Sequence, residues 1–158
     1  MKNSVSLIGV PSDIGASDRG ASMGPEALRV AGLAETLKKQ GITVNDTGNV
    51  SGPDNPELPP VGGYRHLQEN IIWASNIQDA IFSELKNGHL PIMMGGDHAM
   101  SIGSIAAVAR YCSEKAKPIC MIWIDAHADY NTNETSPSGN IHGMPVAVAT
   151  GVGPADLL

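Results

Sequence analysis

Short, uninterrupted apolar runs alternate in this chain with stretches of helical period, and that alternation restricts the fold more than any other feature. Val5–Val10 (VSLIGV), Leu90–Met94 (LPIMM) and Ile119–Ile124 (ICMIWI) have strand length and are followed at once by Pro, Gly or Asp. Runs without polar alternation belong where both faces of a strand are covered. Ile42–Val44 offers a shorter strand of the same kind. Between these runs the period changes. Pro25 suits the first position of a helix, and Ala27, Val30, Ala31, Leu33, Ala34 and Leu37 carry it to Lys38, Lys39 and Gly41. A second helix spans about Leu67 to Lys86, with Ala74, Ile77, Ile81 and Leu85 on one face, and Gly88 stops it. A third runs from Met100 to Cys112 with Ile102, Ile105, Ala106 and Ala109 inward, and a last one starts near Gly143. The expected class is α/β: a mainly parallel sheet flanked by helices. Residues 45–63, rich in proline and glycine, read as one long loop, and loops of that length are often functional. No repeat or linker divides the chain, and its length suits one domain.

Composition removes several function classes. Hydrophobic residues make up 42% and charged residues 16%, a globular balance. Sixteen acids against ten bases argue against a nucleic-acid partner held by a basic surface. Aromatic residues, at 4%, are too few for a base-stacking platform. No apolar run approaches the roughly 18–20 residues of a membrane span, so no membrane partner is expected. The opening MKNSVSLIGVPSD lacks the long apolar stretch of a secretory signal. Two cysteines make no disulfide framework, which points to a reducing, cytoplasmic setting. Cys112 and Cys120 both lie among apolar residues and are expected to pack in the core. No Gly-x-Gly-x-x-Gly follows the first strand and no Walker-type Gly-Lys-Ser/Thr occurs, so nucleotide binding lacks its main signatures.

Chemistry concentrates at two strand ends, where ligands bind in open α/β sheets. One is Gly95-Gly96-Asp97-His98 and the other is Asp125-Ala126-His127-Ala128-Asp129. If the second segment stays extended, residues at i, i+2 and i+4 point the same way, and Asp125, His127 and Asp129 converge. Converging polar groups behind the most apolar run need a partner, and a divalent cation supplies one. The plainer reading is a solvated loop whose aspartates cap a helix. His98, after a diglycine that permits close backbone approach, favours the metal. Two imidazoles and two carboxylates without thiolate suit manganese better than a closed zinc site. Asp97 reads as a supporting residue or helix cap. His66 and His89, near element ends, read as exposed or capping residues. Asp13, Asp18 and Arg19 either rim the site or shape the turn after the first strand.

These motifs together resemble the ureohydrolases, arginase most closely. The resemblance rests on Gly95-Gly96-Asp97-His98, on Asp125-Ala126-His127-Ala128-Asp129 and on Ser138-Gly139-Asn140-Ile141-His142-Gly143-Met144-Pro145. Arg19-Gly20 and Met23-Gly24-Pro25 also fit, so the likeness runs along the whole chain in order. It implies a three-layer α/β/α enzyme with two bridged manganese ions that hydrolyses L-arginine to L-ornithine and urea. It assigns His98 and Asp129 to one ion, His127 to the other, and Asp125 to both. It makes His142 a proton-shuttling histidine and gives Asn131, Ser138 and Asn140 to the substrate's α-carboxylate and α-amino groups, directly or through water. It also implies a homo-oligomer. Agmatinase or another guanidino-acid hydrolase is the alternative within the family, and a non-catalytic metal-binding protein the alternative outside it.

The sequence departs from the family in one respect. The family's second Asp-x-Asp metal motif and a glutamate near the guanidinium lie late in its chains. After Asp129 this sequence offers only Glu134 and Asp156, in no such pair. The expectation is that the 158 residues are a fragment or truncated product of an arginase, weakly active or inactive alone.

Overall fold

The structure is a computed structural model and describes residues 4–158. Three parallel strands form its sheet: β1 (Ser4–Gly9), β2 (Thr43–Asn49) and β3 (Leu90–Met94), in the order β2-β1-β3. Register is continuous from β1 to β3, pairing Val5 with Leu90 and Gly9 with Met94. Against β2 it shifts between Leu7 and Gly9, where an extra residue is taken up near Gly48, at φ 83°.

Alternation along β1 builds two cores. Val5 and Leu7, with Met94, face one layer, where Leu33, Ala34 and Leu37 pack. Ile8 and Val10 face the other, with Trp73, Ile77, Ile81 and Ala107. The first layer is α1 (Gly24–Val30) and α2 (Leu33–Lys39); the second is α3 (Leu67–Lys86) and α4 (Met100–Ser113). The result is the expected three-layer α/β/α arrangement. A short α5 (Pro145–Ala149) packs on α4 through Val148, Met144 and Ile102. Among the described residues no helix is long and apolar enough to cross a membrane.

Several expectations need correction. The helix expected from Pro25 to Lys39 is two helices. Gly32 sits at φ 80° between them, and the break leaves Val30 82% exposed. The loop expected at 45–63 begins only after Asn49. Asn45, Asp46 and Asn49 belong to β2, whose polar residues suit an edge strand facing water. The inward face of α4 is rotated from the one expected: Ile102, Gly103 and Ala107 are buried, because a Cβ on Gly103 would lie 2.4 Å from the Ala74 carbonyl of α3.

The largest departure is Ile119–Ile124. It is not a strand, and Ile122 and Ile124 are 80% and 93% exposed. Its first residues line a groove with Pro91 and Met93 of β3 but make no ladder with it. Strand character depends on a neighbour's hydrogen bonds and on cover for both faces, and here the outer face has none. Cys120, carried on this segment, is therefore exposed, whereas Cys112 is half-buried on α4.

Candidate metal centre

Both candidate loops follow apolar segments, and glycine lets the first pack tightly against the start of α1 and the end of β1. The turn after β3 threads Gly95 and Gly96, at φ 72° and 75°, between neighbours that leave no room for a side chain. A Cβ on Gly95 would lie 2.2 Å from Pro25 Cδ, and one on Gly96 2.6 Å from the Val10 carbonyl oxygen. Gly24 is equally confined, since a Cβ on it would lie 2.7 Å from Gly95 Cα. The Met23-Gly24-Pro25 and Gly95-Gly96 motifs are thus two sides of one contact.

Asp97 and His98, which follow, turn opposite ways. Asp97 is buried and accepts hydrogen bonds from Ala99 N–H (2.8 Å) and Gly15 N–H (2.9 Å). Burial raises its pKa, and those two bonds oppose the rise. His98 is half-exposed, and its Nδ1 lies 2.8 Å from Asp129 Oδ2 and 3.1 Å from Asp125 Oδ2. The edge of Trp123 meets its ring at 5.5 Å, nearly perpendicular. His98, Asp125 and Asp129 each offer a ligand atom, all within 4.8 Å of one another.

The carboxylate side chains are only 13% and 10% exposed, for Asp125 and Asp129. Among the described residues no Lys or Arg pairs with either. Two shielded negative charges with an imidazole as their shared neighbour form a donor set that fits a hard or borderline divalent cation. Asp125 is held ionised below the usual carboxylate range, first by the His127 N–H bond to its Oδ1 (2.7 Å) and further by the adjoining imidazoles.

His127 does not join the group. Its side chain is 82% exposed, with Nδ1 3.3 Å from Asp125 Oδ1. The extended geometry expected for 125–129 is absent. The His127 N–H bond to Asp125 folds the segment into a bend, and Asp129 reaches back only by adopting φ 45°. Asp125 consequently shows Oδ2 to His98 and Oδ1 to His127.

The loop beyond Asp129 returns to the same neighbourhood. Asp129 O accepts from Val146 N–H (3.0 Å), and Asn131 N–H donates to Gly143 O (3.0 Å). Asn131 is exposed and accepts from the Thr135 hydroxyl; Ser138 Oγ accepts from Asn140 N–H. Asn140 is buried, its amide against Ser17 and 3.4 Å from His142 Nε2. His142 N–H donates to Gly15 O (3.1 Å).

Sequence reasoning missed Gly15 and Ser17, which carry these contacts, since loop residues show no period. Of the residues left open, Asp13 is buried and accepts from Gly20 N–H and the Ser22 hydroxyl, so it shapes the turn. Arg19 pairs with Glu57 at the surface. His66, expected at the surface or as a cap, stands at the N-cap position of α3, but it is buried and its side chain makes no capping bond. The loop before α3 folds over it and supplies Leu58, while Ile14 O faces its Nδ1 at 3.1 Å. His89 is half-buried and meets Glu84 and Ser6 at the opposite end of the sheet.

A metal-suited cluster at the carboxyl end of a parallel α/β sheet defines the class, and sequence comparison narrows it. The profile of the Arginase family matches residues 3–156, and the chain belongs to that family. It is 37% identical to the arginase of Brevibacillus brevis, covering 97% of this chain and 50% of that protein. It is 39% identical to an arginase of Staphylococcus aureus, covering 99% of this chain and 52% of that one. The native structure of Bacillus caldovelox arginase superimposes with a TM-score of 0.90 at 38% identity, over 99% of this chain and 52% of that chain. The chain thus spans about half the length of the relatives it matches.

Proposed function

We propose that this chain contributes the first cation-binding half of an arginase centre, in a protein that hydrolyses the guanidinium group of L-arginine to L-ornithine and urea with manganese. The observation that carries the reading is the convergence of His98, Asp125 and Asp129 in a member of the Arginase family. His98 and Asp129 would hold one cation and His127 a second, with Asp125 able to serve both, since its two oxygens face different imidazoles. The oxygen-rich, thiolate-free donors favour manganese.

When bound, a pair of divalent cations lowers the pKa of water enough to supply a nucleophile at neutral pH. The chain's own residues then have two tasks. The leaving amine needs a proton, and His142 is the imidazole of this region that the reading leaves free of a cation. Asn131 and Ser138 lie on a loop tied to Gly143, where polar groups can hold an α-carboxylate and α-ammonium; Asn140, on the same loop, is buried against Ser17 and would reach the substrate only through another group. That loop is the basis for choosing arginine over agmatine, which has no α-carboxylate. The family's later Asp-x-Asp pair has no counterpart here, so the 158 residues alone should turn over weakly or not at all. A homo-oligomer and a cytoplasmic setting accompany the reading.

The test is urea release from L-arginine and from agmatine by the gene product carrying this chain, with added manganese. Arginine should be strongly preferred. Equal or better turnover of agmatine would reject the substrate, and no urea from either would reject the reaction.

A further inference from the structure

We infer that Trp123 is a positioning residue for His98, holding the imidazole so that Nδ1 stays turned towards Asp125 and Asp129. The inference rests on the reading of His98 as a cation ligand, but the ring contact itself does not need that reading. The two rings meet at 75° with their centroids 5.5 Å apart, a favoured perpendicular packing of aromatic groups.

Burial sets Trp123 apart from its segment. Every other residue from 113 to 124 is exposed, whereas Trp123 is half-buried. Its neighbours Ile122 and Ile124 are 80% and 93% exposed. Burial of apolar surface in general would not leave both isoleucines in water and turn in one indole. Nor does the polar atom explain the choice. Trp123 Nε1 is closed off from water and has no hydrogen-bond partner among the described residues, and a buried donor left unpaired is a cost. What the position gains is the ring contact with His98. The same indole anchors the segment that carries Asp125 two residues on.

His98 needs such a support. Its side chain is 50% exposed, and Nδ1 lies 2.8 Å from Asp129 Oδ2 and 3.1 Å from Asp125 Oδ2. An ionised carboxylate only accepts, so either bond requires a hydrogen on Nδ1. A nitrogen that binds a cation carries no hydrogen. The carboxylate bonds therefore cannot hold the ring once Nδ1 is a ligand. The indole contact uses no proton of the imidazole and persists in both states. Trp123 thus keeps Nδ1 aimed without itself touching a cation.

Two measurements on this chain test the inference. The first needs no metal. Nuclear magnetic resonance couplings and Overhauser contacts of His98, identified by the signals lost in His98→Gln, report whether its ring keeps one rotamer. One rotamer is expected in the wild type and in Trp123→Phe, which keeps an aromatic ring and removes the unpaired N–H. An averaged set is expected in Trp123→Leu. The segment makes no ladder with the sheet, so these replacements leave the sheet intact. The second measurement is manganese affinity, from the paramagnetic resonance of the free ion. Trp123→Leu should weaken it about fivefold, the equilibrium effect of one aromatic pair, and Trp123→Phe by no more than about twofold. Added to His98→Ala, Trp123→Leu should weaken it no further. An averaged His98 ring in the wild type, a single rotamer that survives Trp123→Leu, equal losses of affinity in the Leu and Phe variants, or a further loss on top of His98→Ala would overturn the inference. A wild-type chain that binds no manganese would count against the metal centre alone, and the rotamers would still decide the role of Trp123.

Discussion

Gly15→Ala is the substitution whose ordinary effect this fold should reverse. Gly15 does not occupy the left-handed region. At such a position alanine commonly stabilises by about 0.4–1 kcal/mol, because it restricts the unfolded chain. Here an added Cβ would lie 2.5 Å from Asp97 Oδ1 and 2.5 Å from Ala99 Cβ. Both neighbours are 7% exposed, and Asp97 is held by two backbone N–H groups, so neither yields freely. Forcing a methyl into a packed site costs about 1–3 kcal/mol. Moving Gly15 aside instead weakens its bond to a buried carboxylate, a kind of bond worth about 1.5–3 kcal/mol. Less the unfolded-state gain, a net loss of about 0.5–2.5 kcal/mol is expected by either route, against a typical domain stability of about 5–15 kcal/mol. Urea unfolding of the wild-type and Gly15→Ala chains reads this directly as a lower midpoint with an unchanged slope. A variant as stable as the wild type, or more so, would refute the packing between the β1 loop and Asp97.

Other outcomes follow from the same geometry. Glu84 is held below its ordinary pKa by the His89 imidazole and, next, by the Ser6 hydroxyl. Its folded pKa thus lies under its unfolded one, so its contribution is present above the unfolded pKa and is lost as pH falls through the folded value. Glu84→Gln should cost about 1–2 kcal/mol at neutral pH, and the gap between variant and wild type should close on acidification; a gap constant with pH in thermal melts would contradict the assignment. Gly32→Ala forces a Cβ into φ 80° and should cost about 1–2 kcal/mol, checked by the same unfolding curves. His127→Ala should weaken manganese binding at least about tenfold while Cys112→Ser leaves it unchanged; equal effects in calorimetric titration would count against His127 as a ligand.

What could be read from the residues was whatever repeats locally. β1, β3, α3 and α4 carry unbroken runs or a helical period, and they appear where those patterns stand. Only the start of β2 was legible, at Ile42–Val44; its continuation to Asn49 was hidden because an edge strand keeps polar residues such as Asn45 and Asp46 where they meet water. The break at Gly32 was hidden because a lone glycine is tolerated inside helices as well as between them. Ile119–Ile124 looks more like a strand than any other segment, yet pairing is a property of the neighbour and not of the segment.

The candidate site divides in the same way. Residue type singled out His98, Asp125 and Asp129, but the spacing argument for their convergence assumed an extended segment that the structure replaces with a bend. The outward turn of His127 was not legible, since it follows from one backbone bond to Asp125 and one unusual φ at Asp129. The burial of His66 and the grip of Gly15 and Ser17 on the 140–142 segment arise from loops folding over one another, for which the chain shows no period.

Direct titration of this chain with manganese, following the free ion by its paramagnetic resonance, tests the metal centre most plainly. Saturable binding by the wild type, weakened at least about tenfold in both His98→Ala and Asp129→Asn, is the predicted result. Binding that is absent in the wild type, or that survives both substitutions unchanged, would contradict it.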